Sequence, residues 1–329
     1  NITAINNGGL TASAGSPAVA NNQPANVLID DAWTNTTNAP VNVVYTVVPV
    51  SGAGCLGDAF TVTVTINPEP VGTGIVNVPV CSDVAIGAGY TLSTTGGSVA
   101  ATGYNITAIN NGGLTASAGS PAVASNQAAN VLIDDAWTNT GSTPVNVVYT
   151  VVPVAGTGCL GDAFTVTVTI NPEPVGIVNT ATVCSDAVLG SSALLTTTGT
   201  SVSASGYNIT SIGNPSSLTA SAGSPAVASN QPANVLTDDA WTNTGTVPAT
   251  ITYNVVPVSS AGCLGNAFTV TITINPEPVG VVPANTSVCS DVAIGAGYTL
   301  STTGGSVAAT GYNITAINNG GLTASAGSP

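Results

Sequence analysis

Strict two-residue alternation is the clearest local pattern in the chain. Phe60, Val62, Val64 and Ile66 alternate with Thr61, Thr63 and Thr65, apolar on one side and hydroxyl on the other, as in a strand with one buried face. Upstream, Val43, Tyr45 and Val47 alternate with Val44, Thr46 and Val48. Both faces there are apolar or nearly so, which predicts a central strand. The Gly-rich stretch at residues 51–58, which contains Cys55, reads as the hairpin between the two. Further strands are expected over residues 26–35, 90–95 and 104–109.

The pattern recurs. Asn-Ile-Thr begins a block at Asn1, Asn105, Asn208 and Asn313, at offsets of 104, 103 and 105 residues, and residues 80–121 reappear unchanged as 288–329. Such identity two repeats apart points to recent duplication or to a higher-order unit. A period near 100 is too long for a helical solenoid and suits a β-sandwich domain. Asn-Pro-Glu-Pro-Val-Gly occurs at Asn67, Asn171 and Asn275; its prolines fix φ and stop a strand, so each copy is expected to be a short, stiff connector. The predicted organisation is a C-terminal part of a repeat at 1–71, complete repeats at 72–174 and 175–278, and an N-terminal part at 279–329. Six or seven short antiparallel strands in each ~104-residue unit define the expected fold class: all-β, tandem immunoglobulin-like sandwiches. Because the sequence starts and stops inside a repeat, it is expected to be a piece of a longer chain.

Composition narrows the chemistry. The 329 residues include 14 carboxylates and no Lys, Arg, His or Met. Histidine-dependent relays and imidazole metal sites are excluded, as are Schiff-base lysines, P-loops and Lys–Asn isopeptide staples. With no cation to meet phosphate, nucleic acid and anionic membrane surfaces are poor partners. An enzyme is not expected. Hydrophobic residues make up 43% of the chain, too many for a disordered acidic tail, and no apolar run is long enough to span a bilayer. Thr, Ser, Asn, Gly and Val favour short strands and turns over helices.

Two cysteines recur per repeat: Cys55, Cys159 and Cys263 in Gly-Cys-Leu-Gly, and Cys81, Cys184 and Cys289 in Val-Cys-Ser-Asp. Without histidine or a CxxC spacing, the recurrence reads as disulfides in an oxidising, extracellular setting. In an immunoglobulin-like sandwich the first strand runs parallel to the last, which would start Cys81 beside the hairpin that carries Cys159. The expected bridges are therefore Cys81–Cys159 and Cys184–Cys263, with Cys55 and Cys289 pairing outside residues 1–329. Cys55 and Cys81 are separated by a strand and a stiff linker, about 35 Å or more, beyond disulfide reach. Closing a loop of about 80 residues stabilises by roughly 4 to 5 kcal/mol in the chain-entropy model.

The acids recur as well: Asp30–Asp31, Asp134–Asp135 and Asp238–Asp239; Asp83, Asp186 and Asp291 after the second cysteine; Asp58 and Asp162 after the first; and a Glu in each linker. One reading is a calcium site where such loops gather. The other is a set of solvated turn and edge positions that keep an otherwise uncharged surface soluble. No Asp-x-Asp-x-Asp loop is present, and Asn266 stands where the other repeats have Asp. No other cofactor is expected. A glycosidase pair is a weaker reading, since neighbouring residues on a strand face opposite ways. Trp33, Trp137 and Trp241, with Phe60, Phe164 and Phe268, are core anchors or a sugar platform. Asn-x-Ser/Thr occurs at Asn1, Asn35, Asn105, Asn208, Asn285 and Asn313, an acceptor sequence for N-glycans in a eukaryotic secreted protein. The single glutamines Gln23, Gln127 and Gln231 are candidates for an ester with Thr only by their recurrence.

In order, the motifs are Val-Tyr-Thr-Val-Val-Pro-Val, then Gly-Cys-Leu-Gly-Asp-Ala-Phe-Thr-Val-Thr-Val-Thr-Ile-Asn-Pro-Glu-Pro-Val, then Val-Cys-Ser-Asp. This order resembles the PKD-like, immunoglobulin-like repeats of giant Bacteroidota surface proteins, among them gliding-motility adhesins exported by the type IX secretion system. The resemblance covers nearly the whole chain but includes no terminal sorting domain. It implies an extracellular bacterial origin and an adhesive or filamentous role. The leading expectation is a structural one: a stiff shaft of a secreted adhesin or filament, whose partners are neighbouring repeats of the same chain. The rivals are a multi-chain fibre in which copies associate and a multivalent glycan-binding module using loops such as 6–9 or 117–127.

Overall fold

A computed structural model describes residues 1–325. The chain divides into two compact units, residues 1–139 with 143–172 and residues 140–142 with 173 onward, and each is described by itself. Strands β1 (Ile2–Asn6), β2 (Thr11–Ala14), β3 (Ala32–Thr34), β4 (Val41–Val47) and β5 (Phe60–Ile66) belong to the first repeat. The second holds β6 (Val80–Cys81), β7 (Ala101–Asn110), β8 (Thr115–Ala118), β9 (Ala124–Gln127), β10 (Ala136–Thr138), β11 (Val145–Ala155) and β12 (Phe164–Asn171). The third holds β13 (Asn179–Cys184), β14 (Ala204–Gly213), β15 (Leu218–Ala222), β16 (Ala228–Gln231), β17 (Ala240–Asn243), β18 (Ala249–Ser259) and β19 (Phe268–Asn275).

In the second repeat the main sheet runs β6-β12-β11-β7-β9, with a separate β8–β10 ladder, and the third repeats this order as β13-β19-β18-β14-β16 with β15–β17. Alternation sends Val147, Tyr149 and Val151 of β11 and Val166, Val168 and Ile170 of β12 into a dry core. Leu132, Trp137, Ile86, Tyr90 and Leu92 pack onto them, forming the second layer of the sandwich. The threonines take the outer face, so the sheet is apolar inside and hydroxyl outside. The expected all-β, immunoglobulin-like class is the fold observed.

As expected of this fold, the first strand lies parallel to the last: β6 along β12 and β13 along β19. In the third repeat six backbone pairs, from Asn179–Val270 to Cys184–Asn275, form the ladder. In the second repeat β6 is shorter, and Asn77 completes the edge with its side chain, donating to Thr169 Oγ1 at 2.7 Å and accepting from the Thr169 N–H at 3.0 Å.

Two expected strands are otherwise. Residues 25–30 form successive turns, with Val27 N–H donating to Pro24 O and Ile29 N–H to Asn26 O, and only Ala32–Thr34 is extended. The apolar run there is not alternating; its equivalent in the second repeat drops Leu132 into the core from a turn. Residues 90–95 are not a strand either, because Tyr90 closes a 3-10 turn at Ala88–Tyr90 and its hydroxyl meets the backbone of Val78.

Candidate functional site: the joint between repeats

The recurrent acids separate into different roles. In each repeat a tryptophan indole donates to a tyrosine hydroxyl, which donates to an aspartate: Trp33–Tyr45–Asp31, Trp137–Tyr149–Asp135 and Trp241–Tyr253–Asp239, every step 2.8–3.0 Å. Asp135 and Asp239 are 2% and 1% exposed. Burial pushes the Asp135 carboxyl up to about 6, opposed by the Tyr149 hydroxyl and assisted by the charge of Asp134; Asp239 is raised for the same reasons. Their neighbours Asp30, Asp134 and Asp238 are exposed. In the second and third repeats the acid pair is therefore split between core and solvent, whereas Asp31 is half-buried. Asp135 and Asp239 are thus not the solvated turn acids of the sequence reading. The indole and phenol that hold each carboxylate are core groups, so Trp137 and Trp241 are anchors and not a sugar platform.

Asp83 and Asp186 adopt positive φ of 59° and 60° and tie the end of the first strand to the tryptophan strand. Asp83 N–H donates to Trp137 O at 3.0 Å, Thr138 Oγ1 donates to Asp83 Oδ1 at 2.6 Å, and Ser82 Oγ accepts from Asn139 N–H at 2.8 Å. Hydroxyl donation, led by Thr242, holds the Asp186 carboxyl below its ordinary value. Asp162 and Asp291 are exposed. Among the described residues no group of three or more acids or cysteines is gathered as a metal would require.

What the motifs do build is a clasp around the linker. The preceding repeat holds the linker from behind: buried Asn35 donates its side-chain amide to Ile66 O and Ala39 O, while its backbone carbonyl accepts from Glu69 N–H at 2.8 Å. Asn243 does the same for Ile274 O, Val247 O and Glu277 N–H. The following repeat holds the linker from the front. Val71 N–H donates to Ser98 Oγ at 3.2 Å, Thr95 N–H to Val71 O and Thr73 N–H to Ser93 O, both at 2.9 Å. Val175, Thr198, Ile177 and Ser201 repeat that arrangement. Direct bonds also run from Val99 N–H to Thr37 O and from Val202 N–H to Gly141 O.

The Gly-Cys-Leu-Gly-Asp-Ala-Phe motif closes the clasp. A Cβ on Gly161 would fall 1.8 Å from the Pro70 carbonyl oxygen, and one on Gly265 the same distance from that of Pro174; only glycine permits this approach. Linker Gly72 lies against the Phe164 ring and Gly176 against Phe268, where a Cβ would come within 2.3 and 2.1 Å. Pro68 and Pro70 are buried and Glu69 is half-buried. Glu69 titrates above its ordinary value through burial and then the charge of Asp162. Glu277 is raised by burial and then by its hydrogen bond with, and the charge of, Asp186. The linker is therefore an integral packed segment, beyond the stiff connector its prolines predict.

The expected bridges Cys81–Cys159 and Cys184–Cys263 do not form. Cys159 and Cys184 are free thiols, as are Cys55 and Cys289, whereas Cys81 and Cys263 are disulfide-bonded. The error is one of register. Gly72, not Cys81, enters beside the hairpin; the chain then runs along β12 until Cys81 pairs with Asn171 at its far end. Cys184 likewise reaches Asn275. An eight-residue strand, about 25 Å long, lies between Cys81 and Cys159, far beyond disulfide reach.

Other candidates are spent on structure. The buried amide of Asn35 is committed to backbone carbonyls, so it is no glycan acceptor. Gln23, Gln127 and Gln231 donate their amides to Asn21 O, Ser125 O and Ser229 O. In the 6–9 loop, Asn6 and Asn7 accept from Gly8 and Gly9 N–H, which turns their carbonyls onto their own backbone.

The fold and the clasp define the class: a tandem array of immunoglobulin-like β-sandwiches joined by packed linkers. The sequence profile of the PKD-like domain matches residues 13–70, 80–174 and 181–278, most of the chain, which belongs to the PKD-like domain family. Comparison with curated proteins finds no match. Similar solved structures include fibronectin(III)-like modules of Clostridium thermocellum CbhA (12% identity, 61% of this chain and 91% of that one, TM-score 0.22). Chicken CNTN1 FN1–FN3 domains are similar at 14% identity (71% and 75%, TM-score 0.23) and Drosophila N-cadherin EC1-4 at 11% (74% and 59%, TM-score 0.20). Similarity at these TM-scores says nothing about function. PKD-like domains are typically non-catalytic structural modules, and they and disulfides are typical of extracellular proteins. No helix among the described residues is long and apolar enough to cross a membrane.

Proposed function

We propose that this array is the stiff shaft of a secreted bacterial surface adhesin or filament, of the kind Bacteroidota export through the type IX system. It catalyses nothing, needs no cofactor or calcium, and has neighbouring repeats of its own chain as its main partners, with no nucleic acid or membrane insertion. The observation that carries this reading is the double hold on the linker. Bonds from Asn35 behind and from Ser98 and Ser93 ahead remove the freedom that a flexible tether needs, and a shaft requires their removal. The uncharged Thr/Ser/Asn surface suits a hydrated, protease-resistant stalk; with no Lys or Arg, trypsin has no site.

A second reading, a multi-chain fibre, is favoured by one feature: the chain carries only 14 charged side chains in 329 residues, so little repulsion opposes association of copies. Electron microscopy of native full-length material separates the two. Single beaded strands with a spacing of about 40 Å, the length of a sandwich strand layer, support the shaft. Thicker bundles of several chains would overturn it in favour of the fibre.

A further inference from the structure

One cavity of the second repeat holds a charge that no side chain of the protein can balance. Its volume is about 160 Å³, with Ile106, Ile109, Pro121 and Leu132 among its walls and Asp135 and Tyr149 among its polar lining. Asp135 is 2% exposed and is held by neutral donors, the Tyr149 hydroxyl at 2.9 Å and the backbone of Ser120. Gly119 brings the overlying loop so close that a Cβ there would fall 2.5 Å from Asp135 Oδ1. Above pH 6 or so this carboxyl is ionised. No residue of the sequence is Lys, Arg or His, and a buried charge without a partner is strongly unfavourable.

The same lining is built in every repeat. All 11 lining positions keep their residue in each copy: Ile106, Gln127 and Asp135, for instance, recur as Ile2, Gln23 and Asp31 and as Ile209, Gln231 and Asp239. Nearby changes, Ala128 to Pro232 and Ile133 to Thr237, fall outside the lining. Asp239 is 1% exposed and takes the Tyr253 hydroxyl at 2.8 Å.

We propose that this cavity is a binding site for a small aliphatic primary ammonium ion, its charged head on Asp135 and its stem among Ile106, Ile109 and Leu132. An apolar cavity of roughly 150 Å³ holds a benzene, so there is room for a stem of about four carbons. Charge and shape select the class. Calcium wants six to eight oxygens, and a guanidinium has five N–H donors to satisfy, whereas one carboxylate in an apolar wall supplies few acceptors. An ammonium has three donors on a compact head. Gln127, whose Nε2 is committed to Ser125 O at 2.8 Å, keeps its Oε1 as a further acceptor. The inference stands whether the array is a shaft or a fibre.

The test is a ¹H–¹⁵N NMR titration of the whole 329-residue chain at pH 8 with isobutylammonium chloride. Isobutanol is the neutral analogue, and sodium chloride matches the ionic strength. Saturable shifts at the Ser120, Ala124 and Leu132 amides, and at Ser224, Ala228 and Leu236 of the third repeat, are expected with the amine alone. No saturation, or an equal response to isobutanol, would overturn the proposal. Asp135→Asn keeps the side-chain shape and is expected to abolish the response in the second repeat while the third still responds, which reports that the chain is folded. Ala124→Leu fills the cavity without touching the acid and is expected to do the same. Binding that survives both variants would place the amine elsewhere and sink the assignment.

Discussion

The first and third repeats end in nearly the same strand, Phe-Thr-Val-Thr-Val-Thr-Ile in β5 and Phe-Thr-Val-Thr-Ile-Thr-Ile in β19, yet their surroundings differ. Phe60 is 51% exposed and Val64 43%, whereas Phe268 is 6% exposed and Ile272 wholly buried. The third repeat has β13 laid parallel along β19 and linker Gly176 against the Phe268 ring. No strand among the described residues lies on the outer edge of β5. A groove of about 690 Å³ lies across the face of that sheet, lined in part by Ile2 of β1, Val47 of β4 and Phe60 and Val62 of β5. The alternating strand is thus half of a site. The segment entering from the linker supplies the other half, and one element serves both packing and linkage.

The largest effect should separate the two phenylalanines. Phe268→Ala is expected to destabilise its repeat by about 3–5 kcal/mol, and Phe60→Ala its own by no more than about 0.5 kcal/mol, as for a surface change. Repeat-resolved hydrogen exchange in denaturant reads both; equal losses would break the comparison.

Next is a pH effect confined to the complete repeats. The folded-state pKa of Asp135 lies near 6, against 3.8 for the free side chain, so the native state binds the extra proton between those values. Stability of the second repeat therefore rises as pH falls from about 6 towards 4, by on the order of 2–3 kcal/mol, opposite to ordinary acid unfolding. Asp135→Asn should flatten that slope, and thermal melts from pH 4 to 7 measure it.

The hairpin glycines give a smaller effect. Gly265→Ala and Gly161→Ala force a Cβ onto a linker carbonyl and are expected to cost about 1–3 kcal/mol, with loss of protection at Val175 or Val71. Gly57→Ala, whose Cβ would meet only the tip of the Pro49 ring at 2.9 Å, should cost less. Calcium removal is the smallest: chelation should leave the melting temperature unchanged, and a fall of several degrees would restore the calcium reading of the acids.

Much of this was legible in the sequence, and the misses have physical causes. Period-two Thr alternation located β5, β12 and β19, and the period of about 104 residues fixed the repeat. The Trp–Tyr–Asp relay was missed although its signal was present: Asp-Asp-Ala-Trp precedes the buried tyrosine by a constant spacing, and in a chain without cations a buried carboxylate can be held only by hydroxyls, indoles and backbone N–H groups. The clasp was less legible. That glycine in Gly-Cys-Leu-Gly makes room for a proline carbonyl some 90 residues away leaves no local trace, and starting the first strand at Cys81 put that cysteine at the wrong end of it.

The central claim is that the linker is a packed element of the following repeat. Native-state hydrogen exchange of the whole chain tests it most directly at the amides of Val71, Thr73, Val175 and Ile177, each bonded to Ser98, Ser93, Ser201 or Thr196. Protection at the level of β11 and β18 is the predicted result. Exchange as fast as in an open loop would contradict it, and with it the rigid joint on which the shaft depends.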